Sequence, residues 1–382
     1  MDTEAVRGAL TGVIDPELGD NIVDLGMVRD IAVEDGTVRV TVALTVAGCP
    51  LRSQLRSDIE GRVGSLPGVG AVQVEMGEMT ADERSALMAR ARWKARDDAP
   101  ATDIPPSTRV VAVSSGKGGV GKSSVTVNLA ATLAARGLTV GLLDADIWGF
   151  SVPRMLGLEG KIPARDRKMV PLERKVGDGL LKVISMGFLS GEEEAIMWRG
   201  LILNRALQHF LEDVAWGDLD YLLIDMPPGT GDIQMGLARM LPRAEMVIVT
   251  TPALAAQKVA ARAADMARRG YLRVAGVIEN MSAFVCDHGE SYALFGSGGG
   301  QRLAEQTGVP LLGSIPLDPS VAAGGDTGSP VVLTEDLADS PVARAFAALA
   351  DRFCEAVPVV ELSGCTARML DHIEEALGPP KG

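Results

Sequence analysis

The stretch "GKGGVGKSS", residues 116–124, constrains the fold of this chain more than any other. It satisfies the spacing G-x-x-x-x-G-K-[ST] through Gly116, Gly121, Lys122 and Ser123. An apolar segment, "VVAVSS", precedes it, and "SVTVNLAATLAARG" follows with a helical pattern. Strand, glycine loop and helix in this order form a cradle for phosphate. Glycines let successive backbone N–H groups face phosphate oxygens beside the positive end of the helix. Lys122 is expected to reach the β and γ phosphates, and the Ser123 hydroxyl to bind Mg²⁺. Lys117, Gly118, Gly119, Val120 and Ser124 complete the candidate cradle. A plain glycine-rich turn would not require all three elements in register.

The rest of the chain between about 109 and 357 supports this reading. Short, continuously apolar segments recur: "LTVGLLDAD", "YLLIDMPP", "EMVIVTTP", "VAGVIEN" and "PLLGSIP". Helical stretches separate most of them, the pattern of a parallel sheet covered on both faces. The expected class is therefore α/β, a doubly wound, mostly parallel P-loop NTPase domain, preceded by a small α+β domain. Ligands of such sheets bind beyond the carboxyl ends of the strands. Asp225 closes one apolar segment and can hold Mg²⁺ through water, while Asp144 and Asp146 stand at the end of another. Three converging carboxylates repel one another, and a divalent cation would resolve the conflict. A guanine reader of the N-K-x-D type needs an aspartate three residues after its asparagine. Asn280 is followed there by Ala283, which favours ATP over GTP and makes Asn280 a candidate nucleotide contact.

Residues 1–79 read as a small α+β domain: a helix near 2–13, a hairpin turning at Asp35-Gly36, a helix after "GCP", and a last strand, "VGAVQVEM". Val38, Val40, Val42 and Leu44 share one face of the second hairpin strand. Residues 80–108 read as a charged helix, opened by a Thr80/Glu83 capping box, and a proline-rich linker. The tail, 358–382, is expected to add a helix. A length of 382 residues allows two or three domains. A net charge of −13 disfavours nucleic acid and anionic lipid as partners. No apolar run reaches membrane-spanning length, and the N-terminus has no secretory h-region. Four cysteines, at 49, 286, 354 and 365, make no disulfide framework, so a cytoplasmic location with reduced thiols is expected.

Beyond the loop itself, "LLDADIWGFSVPRMLG", "WGDLDYLLIDMPPGTGD", "ENMS…FGSGGG" and "GSIPLDPSV" resemble the Mrp/ApbC family of iron–sulfur cluster carrier ATPases. Lys117 in "GKGGVGKS" resembles the second lysine of the deviant phosphate loop of MinD-type proteins. The N-terminal unit, with "DPELGDNIVDLGMV" and "TVAGCP", is similar to the SufT-like domain often fused to that family. The resemblance implies a homodimer that slowly hydrolyses ATP with Mg²⁺ and transfers clusters to apoproteins. It implies that Lys117 reaches the partner's nucleotide, that Asp146 orients the attacking water, and that the "DMPPGTGD" loop senses the γ-phosphate. The family carries C-x-x-C after "ENMS", so that two subunits supply four thiolates to a [4Fe–4S] cluster. This chain has Cys286-Asp287-His288-Gly289 instead. Cys286 and His288 from two subunits would make Cys₂His₂, a set suited to Zn²⁺ or to a labile cluster. The alternative is a free thiol beside an exposed histidine. Cys49, ahead of Pro50 at a helix start, is a second candidate ligand, with a structural cysteine as the other reading. Cys354 reads as helix packing, His209 as an ordinary helix residue, and "GSGGG" at 296–300 as a backbone turn. The rival functional reading is a metal-free, nucleotide-switched scaffold of MinD type.

Overall fold

Residues 109–115 illustrate why the central strands form. Six of the seven are buried, and Val110 and Ala112 face one side of the sheet while Val111 and Val113 face the other. A strand apolar on both faces is stable only between two layers. The computed structural model describes residues 2–359, except 16–19, 35, 46–51, 88–89, 91–101, 106, 147–148, 166–167, 189–199, 230–231, 270–271 and 287. The chain divides into two units, Met1–Asp98 and Ala99–Gly382.

In the first unit, α1 (Thr3–Leu10) leads to a hairpin of β1 (Val28–Glu34) and β2 (Thr37–Leu44). Helix α2 (Arg52–Gly64) then crosses to β3 (Ala71–Glu78), which pairs parallel with β2. Val38, Val40, Val42 and Leu44 are buried, as their alternation requires. Gly36 has φ of +79°, the left-handed geometry of a hairpin turn. The capping box forms: Thr80 N–H donates to Glu83 Oε2 at 2.7 Å, and Glu83 N–H donates to Thr80 Oγ1 at 3.2 Å. Arg29 also clamps the Glu83 carboxylate, donating from Nε at 3.0 Å and Nη2 at 2.6 Å. These bonds to the charged form, from Arg29 first and then from the Thr80 backbone, pull the Glu83 carboxyl down to about 2.

The second unit is built on an eight-stranded sheet. Its strands are β4 (Arg109–Ser115), β5 (Thr139–Asp144), β6 (Leu172–Val176), β7 (Gly179–Ser185), β8 (Tyr221–Asp225), β9 (Glu245–Thr250), β10 (Arg273–Glu279) and β11 (Leu311–Ser314). The spatial order is β6-β7-β5-β8-β4-β9-β10-β11, and every pair is parallel except β6 with β7. The edge hairpin β6–β7 is absent from the apolar segments legible in sequence. Its outer strand, "LERKV", alternates half-buried and exposed residues, as an edge strand does.

The helices are α3 (Lys122–Ala135), α4 (Gly200–Glu212), α5 (Asp232–Met240), α6 (Leu254–Arg269), α7 (Gly299–Thr307), α8 (Pro319–Thr327) and α9 (Pro341–Ala356). Val125, Leu129 and Leu133 of α3, with Phe346, Leu349 and Phe353 of α9, cover one face of the sheet. Residues from α4, α5, α6 and α7 cover the other, with the fully buried Trp216 among them. Tyr221 on β8 packs against Phe353, ring centroids 5.3 Å apart, and its hydroxyl donates to the Val357 carbonyl at 2.6 Å. Cys354 lies in α9 against this core and His209 lies in α4, each as its helical pattern implied. Cys49, Cys365 and the expected tail helix lie outside the described residues.

Candidate nucleotide site

Strand β4 sits inside the sheet, with β8 and then β5 on one side and β9 on the other, so the chain winds outward in both directions from it. The loop that leaves its carboxyl end is bounded by close approaches that only glycine permits. A Cβ on Gly116 would lie 2.3 Å from the Val259 carbonyl carbon, in the backbone of α6. Gly119 and Gly121 adopt φ of +78° and +76°, and Gly121 is the N-cap of α3. The Ser115 hydroxyl donates to the Lys117 carbonyl at 3.0 Å, pinning the loop's first turn, while the Lys117 side chain is exposed.

Lys122 and Asp225 meet at the floor of the site. Lys122 Nζ lies 2.6 Å from Asp225 Oδ1, and the two side chains are only 6% and 1% exposed. The same carboxylate accepts from Ser123 Oγ at 2.6 Å on Oδ2 and from Thr126 Oγ1 at 3.0 Å on Oδ1. Thus Lys122 and Ser123, two of the groups expected to handle phosphate and Mg²⁺, converge on Asp225. Two oxygen donors, Asp225 Oδ2 and Ser123 Oγ, stand side by side, the hard-ligand pair that Mg²⁺ takes.

Asp144, at the end of β5, is fully buried. It accepts backbone N–H bonds from Asp146 at 3.2 Å, Ser151 at 3.2 Å and Val152 at 3.3 Å, and the Ser185 hydroxyl at 3.1 Å. Burial, and then the negative charge of Asp225, push its carboxyl up to about 7, against the opposing pull of Lys122. The Lys122 ammonium offsets part of the repulsion expected among the strand-end acids. Asp146 is half-buried two residues beyond the strand end, and its carbonyl accepts from Gly149 N–H at 3.2 Å.

Asn280 follows β10, and its side-chain N–H donates to the Val120 carbonyl at 2.9 Å. Its amide nitrogen lies 2.3 Å from where a Cβ on Gly121 would stand. Asn280 is thus committed to the phosphate loop itself. The next residue, Met281, has φ of +56°, turning the chain into a hairpin of Phe284–Val285 with Ser291–Tyr292. Cys286 and His288 sit at its tip, half-buried and exposed respectively. Cys286 N–H donates to the Glu290 carbonyl at 3.0 Å, and Gly289 N–H to the Cys286 carbonyl at 2.9 Å. Val285 and Tyr292 in the strands of this hairpin, and Leu294 and Phe295 just after it, are 42 to 61% exposed. Among the described residues, no group of three or more His, Cys, Asp or Glu is arranged to hold a metal within one chain. "GSGGG" is a turn entering α7, where the Glu279 carboxylate accepts from Gly300 N–H at 2.6 Å. A carboxylate already occupies that helix start.

Sequence reasoning missed Gln234 and Asn128. Both are buried, and each has a side-chain oxygen without a hydrogen-bond partner among the described residues. Their signal was a polar residue within a helix that packs on the sheet, Asn128 among the apolar residues of α3 and Gln234 in the first turn of α5.

A strand, glycine loop and helix carrying lysine and serine, opposed by a buried strand-end aspartate, define a P-loop nucleotide-binding protein. Residues 107–354 match the family described as the NUBPL iron-transfer P-loop NTPase, and residues 3–75 match the iron–sulfur cluster assembly protein family. The chain belongs to the iron-transfer P-loop NTPase family. It is 47% identical over 357 residues to the iron–sulfur cluster carrier protein of Mycobacterium leprae, covering 91% of each chain. It is 40% identical over 365 residues to the protein of that name from Synechocystis, covering 95% of this chain and 99% of the relative. Among solved structures, a nucleotide-binding protein from Archaeoglobus fulgidus in complex with ADP aligns with TM-score 0.50 and 36% identity, over 65% of this chain and 95% of its own. Among the described residues, no helix is long and apolar enough to cross a membrane.

Proposed function

We propose that this protein is a slow, Mg²⁺-dependent ATPase that works in the cytoplasm as a homodimer and delivers iron–sulfur clusters to apoproteins. The observation that carries the nucleotide half is the buried convergence of Lys122, Ser123 and Thr126 on Asp225. In this reading the phosphates compete with Asp225 for the Lys122 ammonium. Ser123 and Asp225 hold Mg²⁺, which neutralises charge on the β and γ phosphates when bound. The backbone of Gly116–Gly121, with Ser124 beside it, holds the phosphate chain. Asn280 supports this cradle from behind, by its bond to Val120, instead of reading the base. Asp146 orients the attacking water. Lys117, exposed at the loop's first turn, supplies charge to the partner subunit's nucleotide.

The cluster is cargo held between two copies. One exposed hairpin offers Cys286 and His288, so a complete ligand set needs the same hairpin from a second subunit. Such a set fits a labile cluster or Zn²⁺ better than a [4Fe–4S] cluster with four thiolates. Cys49 of the N-terminal domain is the other candidate ligand. The residue boundaries 1–79, 80–108 and 109–357 belong to the same proposal: a loading domain, a linker and the motor.

The test is anaerobic reconstitution of wild type, Cys286→Ser, His288→Ala and Cys49→Ser, read by iron, zinc and sulfide content. One centre per dimer is expected, lost in Cys286→Ser, weakened in His288→Ala and intact in Cys49→Ser. If Cys286→Ser binds as much as wild type while Cys49→Ser loses everything, the cluster belongs to the small domain.

A further inference from the structure

The loop that follows Asp225 lies against the phosphate loop: the Pro228 ring is 4.0 Å from where a Cβ on Gly118 would stand. Backbone bonds hold it to β4 on one side, from Met226 N–H to the Val113 carbonyl at 3.0 Å and from Gly229 N–H to the Ser115 carbonyl at 3.0 Å. On the other side a buried side chain does this. Gln234, in the first turn of α5 and 3% exposed, donates from Nε2 to Ser114 Oγ at 2.6 Å and to the Gly229 carbonyl at 2.7 Å. One amide thus ties the end of the phosphate-loop strand to the loop facing the phosphates.

The other end of that amide carries a cost. Gln234 Oε1 is buried with no hydrogen-bond partner among the described residues. A buried acceptor left unpaired is destabilising, and an apolar residue of the same length would avoid it. Packing alone therefore does not account for a glutamine here, whereas its two donor bonds do. Gly229, at φ of +101°, has no side chain, and among the described residues nothing lies within 4 Å of where its Cβ would stand. Its placement depends on the bonds at its N–H and its carbonyl.

We propose that Gln234 is a positioning residue for hydrolysis, fixing the Pro227–Gly229 loop in register with the phosphate loop. The kinetic consequence rests on the ATPase reading above; the tether itself does not. Gln234→Met keeps the volume and removes both bonds. Gln234→Glu keeps an acceptor for Ser114 and loses the donor to Gly229, and Ser114→Ala removes only the strand-side contact. Two measurements on the full-length protein separate the possibilities. In hydrogen exchange without nucleotide, the amides of Met226 and Gly229 should exchange about tenfold faster in Gln234→Met and Gln234→Glu, as expected for loss of one or two hydrogen bonds. Ser114→Ala should do so less. In steady-state hydrolysis, kcat should fall about tenfold in both Gln234 variants while ADP affinity stays within about threefold, the pattern of an interaction needed beyond ground-state binding. Unchanged exchange at Gly229 in both Gln234 variants would overturn the tether. A parallel fall of kcat, ADP affinity and thermal midpoint would reduce Gln234 to a structural residue. A wild type that releases no phosphate from ATP would end the ATPase reading, while the exchange result would still decide whether Gln234 holds the loop.

Discussion

Lys122 and Asp225 form a pair whose members cannot be removed singly without cost. Each is buried, so loss of one leaves an uncompensated charge in a medium that solvates it poorly. Lys122→Met should abolish ATP binding and also destabilise the nucleotide-free protein by about 3 kcal/mol. Lys122→Met combined with Asp225→Asn should regain most of that stability without regaining ATP binding. Urea denaturation and ATP titration of Lys122→Met, Asp225→Asn and the double variant check this; additive losses in the double variant would contradict it. Asp144 leads to a pH prediction. Its folded carboxyl is raised from 3.8 to about 7, so between those values the native state binds more protons than the unfolded chain. Stability from this group is therefore present at low pH and lost as pH rises toward 7. Asp144→Asn should flatten that part of the pH dependence. The readout is the slope of the denaturation midpoint between pH 5 and 8, since the amide also changes the bonds to Asp146, Ser151 and Val152. An equal slope in the variant would mean that Asp144 ionises at its ordinary value.

Among elements, the phosphate loop is shaped by what packs behind it. A methyl group on Gly116 would meet the backbone of α6 at 2.3 Å, whereas Gly119 has nothing within 4 Å and only a left-handed φ of +78°. Backbone cannot move aside as a flexible side chain can. Gly116→Ala should therefore displace the loop and lose ADP binding. Gly119→Ala should cost about 1–2 kcal/mol from backbone conformation alone and keep measurable ADP affinity. Calorimetric ADP titration with denaturation of both variants is the check, and equal losses would show that conformation, not the α6 contact, sets the requirement. Asn280 joins the same loop to β10 and so to the Cys286 hairpin six residues on. That hairpin is short and exposed, and its only described strand partner outside itself is the bridge from Phe284 to Leu317.

For the whole molecule, the prediction is assembly. If Lys117 acts across a dimer, ATP with Mg²⁺ should strengthen self-association. Lys117→Ala should then lose hydrolysis while keeping nucleotide affinity within about tenfold, roughly 1.4 kcal/mol. Sedimentation with and without nucleotide, alongside phosphate release, tests both halves. A monomer that hydrolyses ATP at full rate would remove Lys117 from the mechanism. Leu294 at 61% exposed and Phe295 at 47% follow the hairpin that carries the thiol the proposed cluster needs. An exposed group of this kind on a protein surface commonly marks a contact with another molecule.

Much of this could be read without coordinates. The phosphate loop, the buried parallel strands, the strand-end position of Asp225 and the Thr80/Glu83 cap follow from local rules. Those rules are apolar runs, glycines where φ is positive, and fixed spacings along one helix or strand. The edge hairpin β6–β7 escaped because its outer strand alternates half-buried and exposed residues and Lys182 interrupts its inner one, so its pattern lacks the continuous apolar run of the central strands. Three features of the site depended on the tertiary structure. Asp225 pairs with Lys122 across 103 residues, Asn280 turns to the Val120 carbonyl across 160, and Gln234 reaches Ser114 across 120. Sequence shows that these polar residues exist and on which element each lies. It cannot show which partner each takes, because burial removes water as the default partner, and the packing of distant strands and helices then decides which donor meets which acceptor.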